Sequence, residues 1–201
     1  MSGSFDSFDD LDINTRGKSM QKIQRVSKFF KWLFQIMCIA LPILLVIFWV
    51  NAPSPIELVR HASIINYIPE SIKIFHTLSS SEKFFGFLIA LMPLAVNIFI
   101  LCFLIRLFQL YEKCEIFSLK NVQYIKYIGY TLLIGQFIVN PIDEAILSAT
   151  LTWRNPHGER MAVISFTGTN LGIVLTALLI ILISWIMAEG HKINEDRKYT
   201  I

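Results

Sequence analysis

Formal charge is what this sequence lacks over long stretches. Charged residues make up 16% of its 201 residues, and four stretches contain none at all: residues 32–56, 84–105, 127–142 and 161–188. A soluble domain of this size needs helices with one polar face, which such stretches do not provide. With 54% hydrophobic residues, the sequence indicates an integral membrane protein. It excludes a soluble enzyme, a nucleic-acid-binding domain and a disordered protein.

Cysteine is scarce, and the familiar motifs of catalytic and metal sites are missing. Cys38, Cys102 and Cys114 form no C-x-x-C pair, which excludes a zinc ribbon and a thioredoxin-like motif. There is no glycine-rich phosphate loop, no G-x-S-x-G turn and no H-E-x-x-H helix. All histidines lie outside the uncharged stretches, where they cannot hold a haem inside a helix bundle. We therefore expect no enzymatic activity, no cofactor and no metal.

The uncharged stretches predict four transmembrane helices. A helix needs about 20 apolar residues to cross a hydrocarbon core. Ser79 and Glu82 fit a capping box that starts the second helix, and Pro141 kinks or ends the third. The predicted fold is an all-α membrane protein with a single transmembrane domain over residues 20–201. Its predicted spans are residues 32–50, 84–110, 122–140 and 168–187.

Segments outside the spans carry predictions of their own. Residues 1–19 are rich in Asp and Ser, which predicts a disordered acidic tail. Residues 20–31 place apolar and basic side chains on opposite sides of a helix, which is typical of contact with an anionic inner leaflet. Residues 51–83 carry three prolines and predict a loop at the outer surface. Residues 146–166 have β-branched residues around a turn, which predicts a small β-hairpin in the second outer loop.

The distribution of Lys and Arg predicts the orientation in the membrane. Thirteen of the 18 basic residues flank the N terminus, the second connection or the C terminus, and five lie in the other two loops. The positive-inside rule then places both termini in the cytoplasm. Trp32 and Trp185 fall at the predicted inner boundary, and Trp49 and Trp153 fall at the outer one. This placement agrees with an aromatic belt at each interface.

Small and amide residues within the spans are candidate packing or binding sites. Gly168, Gly172 and Thr176 are spaced by four, which favours packing of the fourth helix inside the bundle and leaves a homo-oligomer contact as the alternative. Amides at membrane depth either bond neighbouring helices or line a path for a substrate. The second option would make the protein a small transporter or channel subunit. The amides concerned are Asn97, Gln136, Asn140 and Asn170.

Two segments at the predicted cytoplasmic face resemble a known family. The second connection reads Tyr-Glu-Lys-Cys-Glu-Ile-Phe-Ser from Tyr111, and the C-terminal segment contains Glu-Gly, Glu-Asp and a final Tyr-Thr-Ile. Over residues 30–201 the chain is similar to the bacterial four-span membrane proteins catalogued as domain of unknown function 2975. That family has a glycine where this chain has Cys114 and a leucine where it has Tyr199. The resemblance implies a bacterial inner-membrane protein without established biochemical activity.

The resemblance also implies a cytoplasmic protein partner. Many members of the family are encoded beside a small helix-turn-helix DNA-binding protein, which implies a regulatory pair, and we expect no direct contact of this chain with nucleic acid. The matching segments form a candidate docking surface for such a partner. A tail whose charges pair with each other is the alternative. The candidate docking residues are Glu115, Phe117, Ser118, Asn121, Glu189, Gly190, Glu195 and Asp196.

Overall fold

The computed structural model describes residues 6–51, 78–113, 115, 118–162, 164 and 170–199, and only the backbone of residues 6–19, 51, 194 and 196–199. Within these parts of the chain the regular structure is helical, and no residue is in a strand. A π-helical turn, Gly135–Val139, connects the third and fourth α-helices. The α-helices are α1 (Asp6–Asn51), α2 (Ser80–Glu112), α3 (Leu119–Ile134), α4 (Asn140–Thr152) and α5 (Leu171–Tyr199).

Among the described residues, four helical stretches are long and apolar enough to cross a membrane, which confirms the predicted number of spans. They have lengths of 23 to 34 residues, or about 35–51 Å at the rise of an α-helix. A hydrocarbon core is about 30 Å thick, so all four stretches are longer than the core. The four stretches are Met20–Val50, Ser80–Glu112, Leu119–Thr152 and Leu171–Ile193.

The third span continues through Pro141, where the sequence predicts a kink or an end. The backbone N–H of Asn140 donates to the carbonyl of Gly135, five residues earlier, which is the spacing of a π-helix. A proline has no N–H and its ring clashes with the carbonyl four residues earlier in a regular α-helix. The wider π turn just before Pro141 relieves this conflict. The helix then continues as α4.

The first half of the predicted β-hairpin is wrong, because α4 extends to Thr152. The hydroxyls of Thr150 and Thr152 donate to the carbonyls four residues earlier, each over 2.7 Å. Each of these bonds gives the hydroxyl of a β-branched residue a hydrogen-bond acceptor within its own helix. The Thr152 hydroxyl also accepts from the N–H of Met161 at 3.0 Å, which ties the following loop to α4. Among the residues of 146–166 that the structure describes, none forms a strand.

The two ends of α1 bear on two other predictions. The helix begins at Asp6, so the backbone of residues 6–19 is helical where the composition predicts disorder. Extending an existing helix is much easier than starting one. The division of the chain into tail and domain stays a prediction. Of the predicted first outer loop, residues 52–77 lie outside the described residues.

Each spanning helix packs against its neighbour in the sequence, and neighbours are antiparallel. α1 packs on α2, α2 packs on α3 and α4, and α3 packs on α5. Trp49 meets Gly86 near one end of the α1–α2 pair, and Lys31 meets Glu112 near the other. The described helices thus form an open layer with apolar outer faces, as lipid contact requires. The main core cluster consists of Leu45, Trp49, Ala90, Leu94, Leu147 and Leu151.

Candidate functional site

One end of the molecule carries most of the described basic residues. α1 and α3 start there, whereas α2 and α5 end there, because neighbouring helices are antiparallel. At the opposite end the described basic residues are Lys83, Arg154 and Arg160. We call the first of these the basic end. Its Lys and Arg residues are Lys22, Arg25, Lys28, Lys31, Arg106, Lys113, Lys120, Lys126 and Lys192.

A groove of about 450 Å³ opens between α1 and α2 at the basic end. Lys31 donates to one carboxylate oxygen of Glu112, and the Nζ of Lys28 lies 3.9 Å from the other. Three lysines against one glutamate leave the lining with two formal positive charges. We call this feature the basic groove. It is lined by Gln24, Lys28, Lys31, Gln109, Glu112 and Lys113.

Aromatic side chains pack between α1 and α2, the two helices that form the basic groove, and hold them together. The ring of Phe30 stacks on Phe108 with centroids 5.4 Å apart, and Phe34 contacts the same ring at 5.6 Å. Ser27 is buried on the side of α1 that meets α2, and a side chain this small lets two helices approach closely. On α1 the lining residues are spaced by four and three positions, and Gln109 precedes Glu112 by three, so each helix presents its lining residues on one face. The groove is therefore a consequence of how α1 pairs with α2.

A row of exposed apolar residues runs along α1 beside the basic groove. Lys31 lies level with Glu112, the last residue of α2. The eleven residues before it on α1, from 20 to 30, cover about 16 Å, and most of this length lies beyond the end of α2. Five apolar side chains in this segment are exposed, and four of them, at spacings of three, three and four, lie on one side of the helix. We call these four the α1 strip. They are Met20, Ile23, Val26 and Phe30.

The candidate docking residues of the second connection are partly used in the fold. The Ser118 hydroxyl accepts from the N–H of Asn121 at 3.3 Å and caps the start of α3. Asn121 is fully buried, so its side chain is not on a docking surface. Glu115 is exposed. Phe117 lies outside the described residues.

The candidate docking residues of the C-terminal segment pair with their own helix. The ammonium of Lys192 lies 3.7 Å from Glu189, and the Nδ1 of His191 lies 3.8 Å from Glu195. Gly190 is exposed. The side chain of Asp196 is outside the described part. Both contacts are longer than hydrogen bonds, and docking at this segment stays a prediction.

The four candidate amides do not line one path through the described helices. The N–H of Asn170 donates to Oε1 of Gln136 over 3.1 Å. The Asn170 side chain accepts from two backbone N–H groups of the first turn of α5, at 2.9 and 3.3 Å. These two residues therefore fix the start of α5 against the π turn. Asn97 and Asn140 are exposed, so they do not join this pair.

The small residues predicted to pack the fourth span are not in the buried row of α5. Gly172 and Thr176 are exposed, and Gly168 lies outside the described residues. In α3 a Cβ added at Gly129 would lie 2.6 Å from the side chain of Ile181, so this glycine permits the close contact. A single glycine has no spacing pattern, so Gly129 could not be identified from the sequence as a packing residue. The buried row of α5 is Val174, Ala177, Ile181 and Ser184.

Comparison with known proteins places the chain in a family. Residues 68–201, two thirds of the sequence, match the family described as a protein of unknown function, DUF2975. No curated protein and no solved structure matches the chain. The match includes α2 to α5, both sides of the second connection and the C-terminal segment. The chain therefore belongs to the DUF2975 family of proteins of unknown function.

Proposed function

We propose that this protein is a non-enzymatic multi-pass protein of the bacterial inner membrane that docks a soluble protein at its cytoplasmic face. The observation that carries the proposal is the α1 strip, whose apolar side chains are exposed on a segment that reaches past the end of α2. Contiguous apolar side chains outside the hydrocarbon core are typical of a surface that another molecule covers. The basic end faces the cytoplasm in this proposal, in agreement with the positive-inside rule.

The chemistry of the α1 strip suits an amphipathic helix with acidic flanks. Its helical spacing offers a partner helix a row of apolar contacts. Lys22 and Arg25 are exposed beside the row, and they attract acidic side chains and repel basic ones. The same two residues would raise the rate of association at low salt. A partner segment with acidic residues around an apolar stripe is therefore favoured.

A small helix-turn-helix DNA-binding protein is the partner class that the family resemblance implies. Docking on α1 would hold such a regulator at the membrane and lower its concentration at DNA. The membrane protein then needs no chemistry of its own, because the response depends only on whether the partner is bound. A signal received elsewhere in the chain would act by changing the accessibility of the α1 strip.

Site-specific photo-crosslinking tests the proposal in intact cells. A benzophenone amino acid is placed at Ile23 or Val26 of the full-length chain, and crosslinked products are identified by mass spectrometry. A matched control places it at Leu182, which is exposed on α5 within the fourth apolar stretch and faces lipid in the proposal. We expect one soluble protein from both α1 positions and none from Leu182.

A charge in the strip provides the second arm of the same experiment. Val26→Lys should lower crosslinking from Ile23 at least fivefold, because an ammonium group in an apolar contact is costly to desolvate. Val26 is exposed, so this change should leave the thermal stability of the protein unaltered. If Ile23 captures no soluble protein, or captures the same one after Val26→Lys, the docking function is wrong.

A further inference from the structure

We propose that the basic groove binds the phosphate of an anionic lipid headgroup. The groove lies where both helices leave their apolar stretches, because Lys31 directly precedes the uncharged residues 32–56 and Lys113 follows the end of α2. Headgroups occupy this level of a bilayer. Basic pockets between transmembrane helices are a general means of holding lipid phosphates. The inference does not depend on protein docking, since it concerns the groove and not the α1 strip.

The donors of the groove suit a phosphate group. Three ammonium groups and two side-chain amides line a volume of about 450 Å³, and both kinds of group donate hydrogen bonds to phosphate oxygens. Lys28 is 66% exposed and lies 3.9 Å from Glu112, beyond hydrogen-bond distance. Its ammonium can therefore turn towards a ligand without losing a strong bond. Lys31 is held by Glu112 and supplies a fixed charge at the base of the groove.

Glu112 limits how strongly the groove attracts an anion. Its carboxylate is the only acidic group among the described residues of the lining, and it lies in the last turn of α2, where free carbonyl groups add partial negative charge. Removing this carboxylate should strengthen the binding of a phosphate. Removing Lys28 or Lys113 should weaken it. These opposite changes in affinity distinguish a phosphate site from a groove that only contains polar residues.

Apolar side chains above the groove offer a path for an acyl chain. Trp32 is one turn after Lys28 and is 66% exposed. Ile36, Ile39 and Ile43 are also exposed and follow at spacings of four, three and four residues, on the same side of α1. A lipid whose phosphate lies at Lys28 can place a chain along this row. A free phosphate ester would use only the groove, so the two sources of phosphate can be distinguished.

Native mass spectrometry of the purified full-length protein measures the proposed binding directly. The protein is titrated in detergent with phosphatidylglycerol, with phosphatidylcholine and with soluble glycerol phosphate. We expect saturable retention of phosphatidylglycerol and weak retention of the other two. Lys28→Gln and Lys113→Gln should each weaken retention about fivefold, the effect of one lysine near an anionic surface. Glu112→Gln should tighten it by a similar factor.

Lys22→Gln is the matched control, because Lys22 is exposed on the same helix but does not line the groove. It should leave the affinity for phosphatidylglycerol within twofold. An equal loss from Lys22→Gln and Lys28→Gln would mean general attraction to an anionic lipid, and the site would be wrong. Weaker binding by folded Glu112→Gln protein would also overturn it. Equal affinity for glycerol phosphate would overturn the assignment to a lipid.

The two lysine variants keep the test decisive if Glu112→Gln alters the packing of α1 on α2. Both replace charged groups of the lining, and the mostly exposed side chain of Lys28 carries little of the packing. Thermal unfolding of each variant without lipid identifies any that are misfolded. Because isolated protein is used, the result is independent of whether a soluble partner exists. Failure of docking and failure of lipid binding are therefore separate outcomes.

Discussion

Gly86 offers a sharp test of the packing between α1 and α2. It faces the indole of Trp49, which is only 3% exposed in the main core cluster. A Cβ at Gly86 would overlap the indole ring, since even the third nearest ring carbon would lie 2.9 Å away. The ring has little room to turn, because the fully buried Leu147 and Leu151 belong to the same cluster.

Gly86→Ala should therefore destabilise the protein. Alanine favours a helix over glycine by up to about 1 kcal/mol, and this gain opposes the overlap. An extra methyl group in a packed core costs about 1–3 kcal/mol, and a rigid aromatic neighbour favours the upper part of this range. We expect a net loss of about 1–2 kcal/mol in the free energy of unfolding.

Unfolding by sodium dodecyl sulfate in mixed micelles, followed by circular dichroism, measures this loss. Gly190→Ala is the control, because an added Cβ there would meet no described atom within 4 Å apart from its own chain neighbours and helix backbone, and it should be neutral or stabilising. Adding Trp49→Leu should make Gly86→Ala less harmful than it is alone, because the overlapping ring is gone. If Gly86→Ala and Gly190→Ala change the stability equally, the close contact of α1 with α2 at this position is wrong.

Three further substitutions test the helix ends. Ser79→Ala removes the hydroxyl that caps α2 and should cost about 1 kcal/mol in the same unfolding assay. Gln136→Leu removes the acceptor of the Asn170 N–H and should cost about 1 kcal/mol, with faster hydrogen exchange in the first turn of α5. Arg154→Gln breaks a 3.8 Å contact with Glu82. Because the arginine is mostly exposed, its loss should cost less than about 0.5 kcal/mol.

The start of α2 could be predicted from sequence because its signal is local. Ser79 and Glu82 are three residues apart, and both bonds of the capping box are present. The path of the chain at Pro141 could not be predicted in the same way. A proline favours a break, but a π turn just before it lets the helix continue. The π turn starts at Gly135, which packs so closely on Val96 of α2 that an added Cβ would lie 2.9 Å from its side chain, and the sequence around Pro141 does not contain this contact with another helix.

The packing faces of α5 show why spacing alone misplaced a candidate site. Gly172 and Thr176 have the small-residue spacing that close helix contacts favour, yet both are exposed. The buried row contains Ala177 and Ser184, which are equally small. The two rows differ mainly in which one meets α3. That choice depends on the opposing Gly129, which lies more than 40 residues earlier in the sequence.

The basic groove depends in the same way on distant packing. Its two halves are about 80 residues apart in the sequence, and each alone reads as the polar end of an apolar helix. Lys31 meets Glu112 only because α1 and α2 pack in one register. The contact of Trp49 with Gly86, about 27 Å further along α1, holds that register together with the stacking of Phe30 on Phe108. A slip of one turn would move Lys31 about 5.4 Å from its partner, so the core contact at one end determines the charge arrangement at the other.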